Sequence, residues 1–280
     1  MRRRVTLVLS SLLTVVALAC GGWLLDPAGS REPAGATAPP RPRPTVPGIA
    51  LYAQVMARVQ AEGTVGYTFS GNSGGGETQS GSGVLRFLSG AEPGRSFDAD
   101  VMTTSATSGR TRAVLLPGFF YLALPPAKGL PRSKPWLKVS QDPRTELGQD
   151  LRPVAEQVRT SFDPAQTLGL LRASGQVVEV GPARVAGRAA TLHRASVNLA
   201  EAASEAADPA LRAQYLAMRR AGVRSLELEL WLSPDGLPLR VAADVPGLYS
   251  ITGVYDGWGD PVRISAPTAK QVFDADSIRG

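Results

Sequence analysis

Leu226, Leu228, Leu230 and Leu232 alternate with Glu227, Glu229 and Trp231. A period of two predicts a strand with one buried and one exposed face. Ser233-Pro234-Asp235-Gly236 follows and reads as a turn, since Pro suits its second position and Gly supplies a positive φ. Leu237, Leu239 and Val241 resume the alternation, so the two runs form an antiparallel hairpin. A third run places Tyr249, Ile251 and Tyr255 on one face and Ser250, Thr252 and Asp256 on the other. Three such strands make a meander whose inner face needs an apolar cover.

The same pattern governs the first half of the chain. Residues 49–63 predict a helix with Ile49, Tyr52, Met56 and Val59 on one stripe, ended by Gly63. Val65, Tyr67 and Phe69 then alternate with Gly66, Thr68 and Ser70. Residues 71–83 read as a Gly/Ser-rich loop. Leu85 and Phe87 resume a strand, and Phe97, Ala99, Val101 and Thr103 mark the next. Runs at 111–116, 119–124 and 135–139 continue the meander.

A helical middle interrupts it. Asp142-Pro143, Asp163-Pro164 and Asp208-Pro209 each pair a capping Asp with a Pro at the first helical position. The first opens a stripe of Leu147, Leu151, Val154 and Val158, expected to bend or break at Pro153. The second carries Leu168 and Leu171 and stops at Gly175, and the third carries Leu211, Tyr215 and Met218 up to Gly222. Between them, 176–180, 184–187 and 190–199 read as strands, and 199–207 as an Ala-rich run. The expectation is an α+β fold with about ten or eleven antiparallel strands. A sheet that long must curl, and the inserted helices then lie in its hollow.

Of the 30 basic residues, Arg2, Arg3 and Arg4 belong to the first four positions, which leaves 27 against 24 acidic ones. That balance argues against a nucleic-acid partner. The three arginines precede the uncharged stretch 5–25. A signal peptide over 1–19 fits, with an apolar h-region and the junction Ala19-Cys20. A signal anchor over 1–25 fits also, because the uncharged run reaches about a bilayer span of ~20 residues. Either way the positive charge stays inside, and the rest of the chain lies at the outer face of the plasma membrane. Residues 20–48 form a linker, with seven prolines over 26–48. Such a stretch favours extended polyproline conformations. Residues 49–280 form one domain.

Cys20 is the only cysteine and His193 the only histidine. They exclude a His/Cys zinc site and a Cys–His dyad in the domain. His193 shares a strand face with Thr191, Ala195 and Val197, which reads as a core histidine. Gly71-Asn72-Ser73-Gly74-Gly75 matches G-x-S-x-G, but a strand rather than a helix follows it, so a hairpin is the better account. A hydrolase built on Ser73 and His193 is the distant alternative. There is no phosphate-binding loop, dinucleotide fingerprint or calcium loop. No cofactor, metal or catalytic residue is expected.

Several segments together resemble the actinobacterial LppX/LprG lipoprotein family. They are Ala19-Cys20, Pro135-Trp136-Leu137-Lys138-Val139, Val185-Ala186-Gly187 with Thr191-Leu192-His193, and the run from Trp231 to Val241. The most specific is Tyr255-Asp256-Gly257-Trp258-Gly259-Asp260-Pro261-Val262-Arg263-Ile264-Ser265-Ala266-Pro267. The resemblance implies a LolA/LolB-like fold: a curled antiparallel half-barrel with helices on its concave side. It also implies a non-enzymatic carrier of acylated lipids (glycolipid, phospholipid or triacylglycerol) that works with a lipid transporter. Cys20 would bear the lipid attachment, a palmitate-type chain, and hold the protein at the membrane. The inner-face residues expected to line the pocket are Tyr67, Phe69, Leu85, Val101, Leu226, Leu228, Leu230, Tyr249 and Ile251. An envelope interaction or signalling module with a filled cavity is the other reading of the same face.

Overall fold

The computed structural model describes residues 44–73, 78–88, 97–105, 109–123, 131–162, 164–206, 209–245 and 248–277. The leader, Cys20 and most of the linker lie outside these residues, as do Asp163 and Asp208. Within them, thirteen strands form one sheet that does not close, and five α-helices cover one of its faces.

Two meanders build the sheet. The first runs β2 (Thr64–Ser73), β3 (Thr78–Phe87), β4 (Phe97–Ser105), β5 (Gly109–Leu116), β6 (Phe119–Ala123) and β7 (Trp136–Ser140). The second runs β8 (Gln176–Val185), β9 (Arg188–Asn198), β10 (Ser225–Leu232), β11 (Pro238–Val245) and β12 (Tyr249–Asp256). β12 pairs with β2, so the end of the second meander joins the start of the first. Two short strands form the edges: β1 (Thr45–Pro47) on β8, and β13 (Val272–Asp274) on β7. The β13–β7 pair is parallel, which makes the sheet mixed where an all-antiparallel one was expected.

The register sets which residues share a face. Leu230, Val241, Gly253, Phe69, Gly81 and Thr103 are consecutive cross-strand partners from β10 to β4. One row along, Tyr255, Tyr67, Gly83, Val101, Ala113 and Leu122 do the same from β12 to β6. This inner face carries two apolar cores. In the first, α1 (Gly48–Glu62), α3 (Pro164–Gly169), the 3₁₀ turn Leu170–Ser174, α4 (Leu199–Glu205) and α5 (Pro209–Arg220) pack on β8–β12. In the second, Leu147 and Leu151 of α2 (Glu146–Phe162) pack on β3–β7.

Several local expectations need correction. The buried stripe of α1 is Leu51, Val55 and Val59, with Tyr52 and Met56 beside it, while Ile49 is 61% exposed. Gly48 fixes that rotation. A Cβ there would stand 2.0 Å from the Leu171 carbonyl oxygen, and Gly48 N donates to Gly175 O at 2.9 Å. Asp142-Pro143 does not open α2. Thr145 caps it, accepting from Gly148 N at 3.1 Å. Pro153 does not break α2; it lies on the exposed side of the helix, which runs on to Phe162. The stretch 71–83 is mostly strand, leaving only 74–77 outside the described residues. The segments 176–180 and 184–187 fuse into β8 through a bulge between Glu179 and Gly181, and Ala186-Gly187 is the turn to β9. The Ala-rich run is α4, capped by Asn198, whose side chain accepts from Ala200 N.

The outer face has its own cover. After β12 the chain turns at Gly257 and Gly259, and Gly259 N donates to Thr64 O. Val262 and Ile264 then pack on Val114 and Tyr121. The strap ends in β13 and the turn Ala275–Ser277, where Asp276 Oδ1 accepts from the backbone of Arg144 and Thr145. Charged pairs occupy the remaining outer rows: Arg86 with Asp98, Arg112 with Asp100, and Arg194 with Glu229.

Candidate functional site: a glycine-floored aromatic trough

Between the two cores the inner face changes character. β12, β2 and β3 place four glycines there, Gly253, Gly71, Gly81 and Gly83. A strand glycine leaves bare backbone for a neighbouring group to approach. At Gly81 and Gly83 aromatic rings take that space. A Cβ on Gly81 would lie 2.4 Å from Phe69 Cε1, and one on Gly83 would lie 3.2 Å from Tyr67 Cε1. The rings of Phe69 and Tyr67 therefore lean over their cross-strand glycine partners.

The rings also form a ladder. Phe69, Tyr67, Tyr255, Trp258 and Phe87 follow one another with centroids 5.9–6.4 Å apart and interplanar angles of 14–26°. Tyr255, Trp258 and Phe87 touch both cores, so the ladder is the seam between them. Trp258 is held by its Nε1, which donates to Pro238 O at 2.8 Å. All five rings, with Tyr249 and Ile251 further along β12, are half-buried rather than sealed. From Tyr249 to Tyr255 the trough runs about 20 Å, given ~3.4 Å per strand residue.

Its electrostatics are those of an apolar surface. No described strand position on the inner face from β9 to β7 is Asp, Glu, Lys or Arg. The Tyr67 hydroxyl is buried and has no hydrogen-bond partner among the described residues. Burial, followed by the neighbouring Tyr255, holds its pKa well above the usual phenol value. Burial pushes Tyr255 up to about 12. Both remain neutral hydroxyls at physiological pH. The arrangement can enclose an apolar chain; it offers no charge to a reacting group.

All nine residues singled out from sequence share this inner face. Leu226, Leu228 and Leu230 are buried in the first core and Leu85 and Val101 in the second. Tyr67, Phe69, Tyr249 and Ile251 are half-buried along the trough. Sequence reasoning left out Tyr255, Trp258, Phe87 and the glycines. Their signal was present: Gly81-Ser82-Gly83 puts glycines at period two opposite Tyr67 and Phe69. His193 is 9% exposed on the inner face, paired in register with Leu230. Ser73 pairs with Tyr249 on β2, four strand spacings away, or about 19 Å at ~4.8 Å each. The fold does not bring the two together, and the hydrolase reading loses its dyad.

The chain is thus an α+β protein with a large open sheet, helices on one face and a row of half-buried aromatic rings along the seam between its two cores. No family model matches it, and no curated protein does. Among solved structures it is similar to the lipoprotein LppX of Mycobacterium tuberculosis, at 14% identity and a TM-score of 0.46, over 78% of this chain and 98% of that one. It is also similar to LprF from Mycobacterium bovis, at 13% identity and a TM-score of 0.44, over 80% and 99%. A LolA-superfamily protein from Nitrosomonas europaea matches at 8% identity and a TM-score of 0.28, over 76% and 92%. The family suggested by the motifs is thus among the similar structures.

Proposed function

We propose that the chain is a non-enzymatic envelope lipoprotein that binds acylated lipid in the trough and carries or presents it between envelope layers. The observation that supports this is the half-buried ring ladder over the glycine floor. An uncharged aromatic channel about 20 Å long suits an extended acyl chain. Each methylene removed from water contributes about 0.8 kcal/mol, so ten would contribute about 8 kcal/mol before ordering costs. Affinity on that scale needs no polar anchor. Glycolipid, phospholipid and triacylglycerol all present such chains, and a membrane lipid transporter would supply or receive them. Cys20 bears the anchoring lipid once residues 1–19 are removed. Among the described residues no helix is long and apolar enough to cross a membrane.

Native mass spectrometry of the purified protein, with organic extraction of what co-purifies, tests the reading. Bound acyl lipid is expected, and Ile251→Trp, which fills the trough, should displace it. Tyr249→Trp is the second variant should the first fail to fold. A protein that is empty and ignores fluorescent lipid analogues would instead be an interaction module of the envelope. The anchor is tested separately: Cys20→Ala should release the protein from membranes, and an intact Met1 end would make the leader a signal anchor.

A further inference from the structure

The helix α5 has two different long faces. Leu211, Tyr215 and Met218 turn inward and pack on the first core. Arg212, Leu216, Arg219 and Arg220 are exposed, with Leu216 at 36%. At 100° per residue these four occupy one arc of about 100°, beside and behind the buried stripe. Arg224 is exposed just beyond the helix end. From residue 209 to 224 the chain carries four arginines and no acidic residue. Glu205 on the adjoining α4 pairs with Arg172 at 3.6 Å. The result is a cationic face with one large apolar side chain at its centre.

Its position gives this face a use. Tyr215, on the buried side of α5, belongs to the same core as Tyr249 at one end of the trough. The arginine face and the core against which Tyr249 packs therefore lie on different sides of α5. About 24 residues separate Cys20 from β1, and at ~3.1 Å each they allow a stand-off of roughly 70 Å.

We propose that the exposed face of α5 docks on the surface of an anionic phospholipid bilayer and holds the Tyr249 end of the trough against it. Charge complementarity selects the partner: an anionic headgroup layer attracts every arginine on the arc, and Leu216 enters the interface between them. This contact is distinct from the lipid at Cys20, which ties the chain to the membrane without fixing its orientation. Its role in loading rests on the lipid-carrier reading. The docking itself stands or falls alone.

Hydrogen exchange tests it on the full chain held by its N-terminus in nanodiscs of phosphatidylcholine, with or without phosphatidylglycerol. Amides of residues 211–220 should exchange more slowly in the anionic discs only. The protection should vanish as salt is raised from about 0.1 M to about 1 M, where the screening length falls from ~10 Å to ~3 Å. Each arginine near an anionic surface is worth about a fivefold gain in partitioning. Arg219→Gln with Arg220→Gln, both exposed, should therefore weaken docking roughly 25-fold and leave the fold intact. Equal protection in neutral and anionic discs overturns the proposal. So does exchange of the α5 amides that slows as the concentration of free protein is raised, which would mean that a second copy covers the face. Lipid content is read separately by extraction: an empty protein that still docks refutes the carrier, and a loaded protein that does not dock refutes the docking.

Discussion

The ring of Phe69 occupies the space that a side chain on Gly81, its direct cross-strand partner, would need. One substitution makes the point measurable. Gly81→Ala drives a methyl to 2.4 Å from Phe69 Cε1 and 2.5 Å from the backbone oxygen of Met102. The ring can swing away; the backbone of β4 cannot. The variant should lose about 1–3 kcal/mol in urea unfolding. Gly253→Ala should behave oppositely, since its nearest neighbours are Tyr255 atoms at 3.5–3.7 Å. It should be neutral or gain about 0.4–1 kcal/mol through the unfolded chain. Equal effects at the two sites would mean that the ring does not lean over Gly81.

Two polar handles on the ladder differ in whether they are satisfied. Tyr67 buries a hydroxyl with no partner among the described residues, whereas Trp258 donates from Nε1 to Pro238 O. Tyr67→Phe removes an uncompensated polar group and should be neutral or stabilising in thermal denaturation. Trp258→Phe leaves the Pro238 carbonyl, on a buried residue, without its donor and should cost about 1–3 kcal/mol. A large loss on Tyr67→Phe would show that the hydroxyl has a partner, such as a bound ligand.

The start of α2 is secured from the far end of the chain. Asp276 Oδ1 accepts from Arg144 N at 2.9 Å and from Thr145 N at 3.3 Å, and Thr145 Oγ1 donates to Ala275 O at 3.0 Å. Asp276→Ala should cost about 0.5–2 kcal/mol, as loss of a cap does. Thr145→Val should cost a similar amount. Because both act on one cap, the double variant should lose less than the sum of the two. Strict additivity in the unfolding data would count against a shared cap.

Alkaline pH should unfold the domain before these tyrosines ionise in place. Burial raises Tyr67, Tyr215 and Tyr255, the last to about 12, whereas an unfolded tyrosine titrates near 10. Above pH ~10 the unfolded chain releases protons that the folded chain retains. Stability is then fully present below that pH and falls as pH rises, by about 1.4 kcal/mol per pH unit for each such tyrosine. The contribution of Tyr255 stops growing near 12. Unfolding midpoints should be flat with respect to tyrosine from pH 7 to 9, with tyrosinate absorbance appearing together with loss of structure. Early, non-cooperative ionisation of Tyr67, Tyr215 and Tyr255 would show that these rings are open to water.

By itself, the sequence determined the alternation of Leu226, Leu228 and Leu230, and of Tyr67 and Phe69, and hence which residues face inward. It also determined α1, the Leu211–Tyr215–Met218 stripe and the stop at Gly63, because period and glycine caps are local properties. What it could not determine depended on partners distant in the chain. The rotation of α1 is set by the fit of Gly48 against Leu171, and the start of α2 by Asp276. β13 lies parallel to β7 because the strap from Trp258 onward crosses the outer face first. The glycines at 81 and 83 read as loop until the register set them opposite Phe69 and Tyr67. A glycine in a strand is unfavourable on its own, and only a ring from the neighbouring strand makes it a floor. Pairing between residues far apart in sequence has no local signature, so the trough exists only in the tertiary structure.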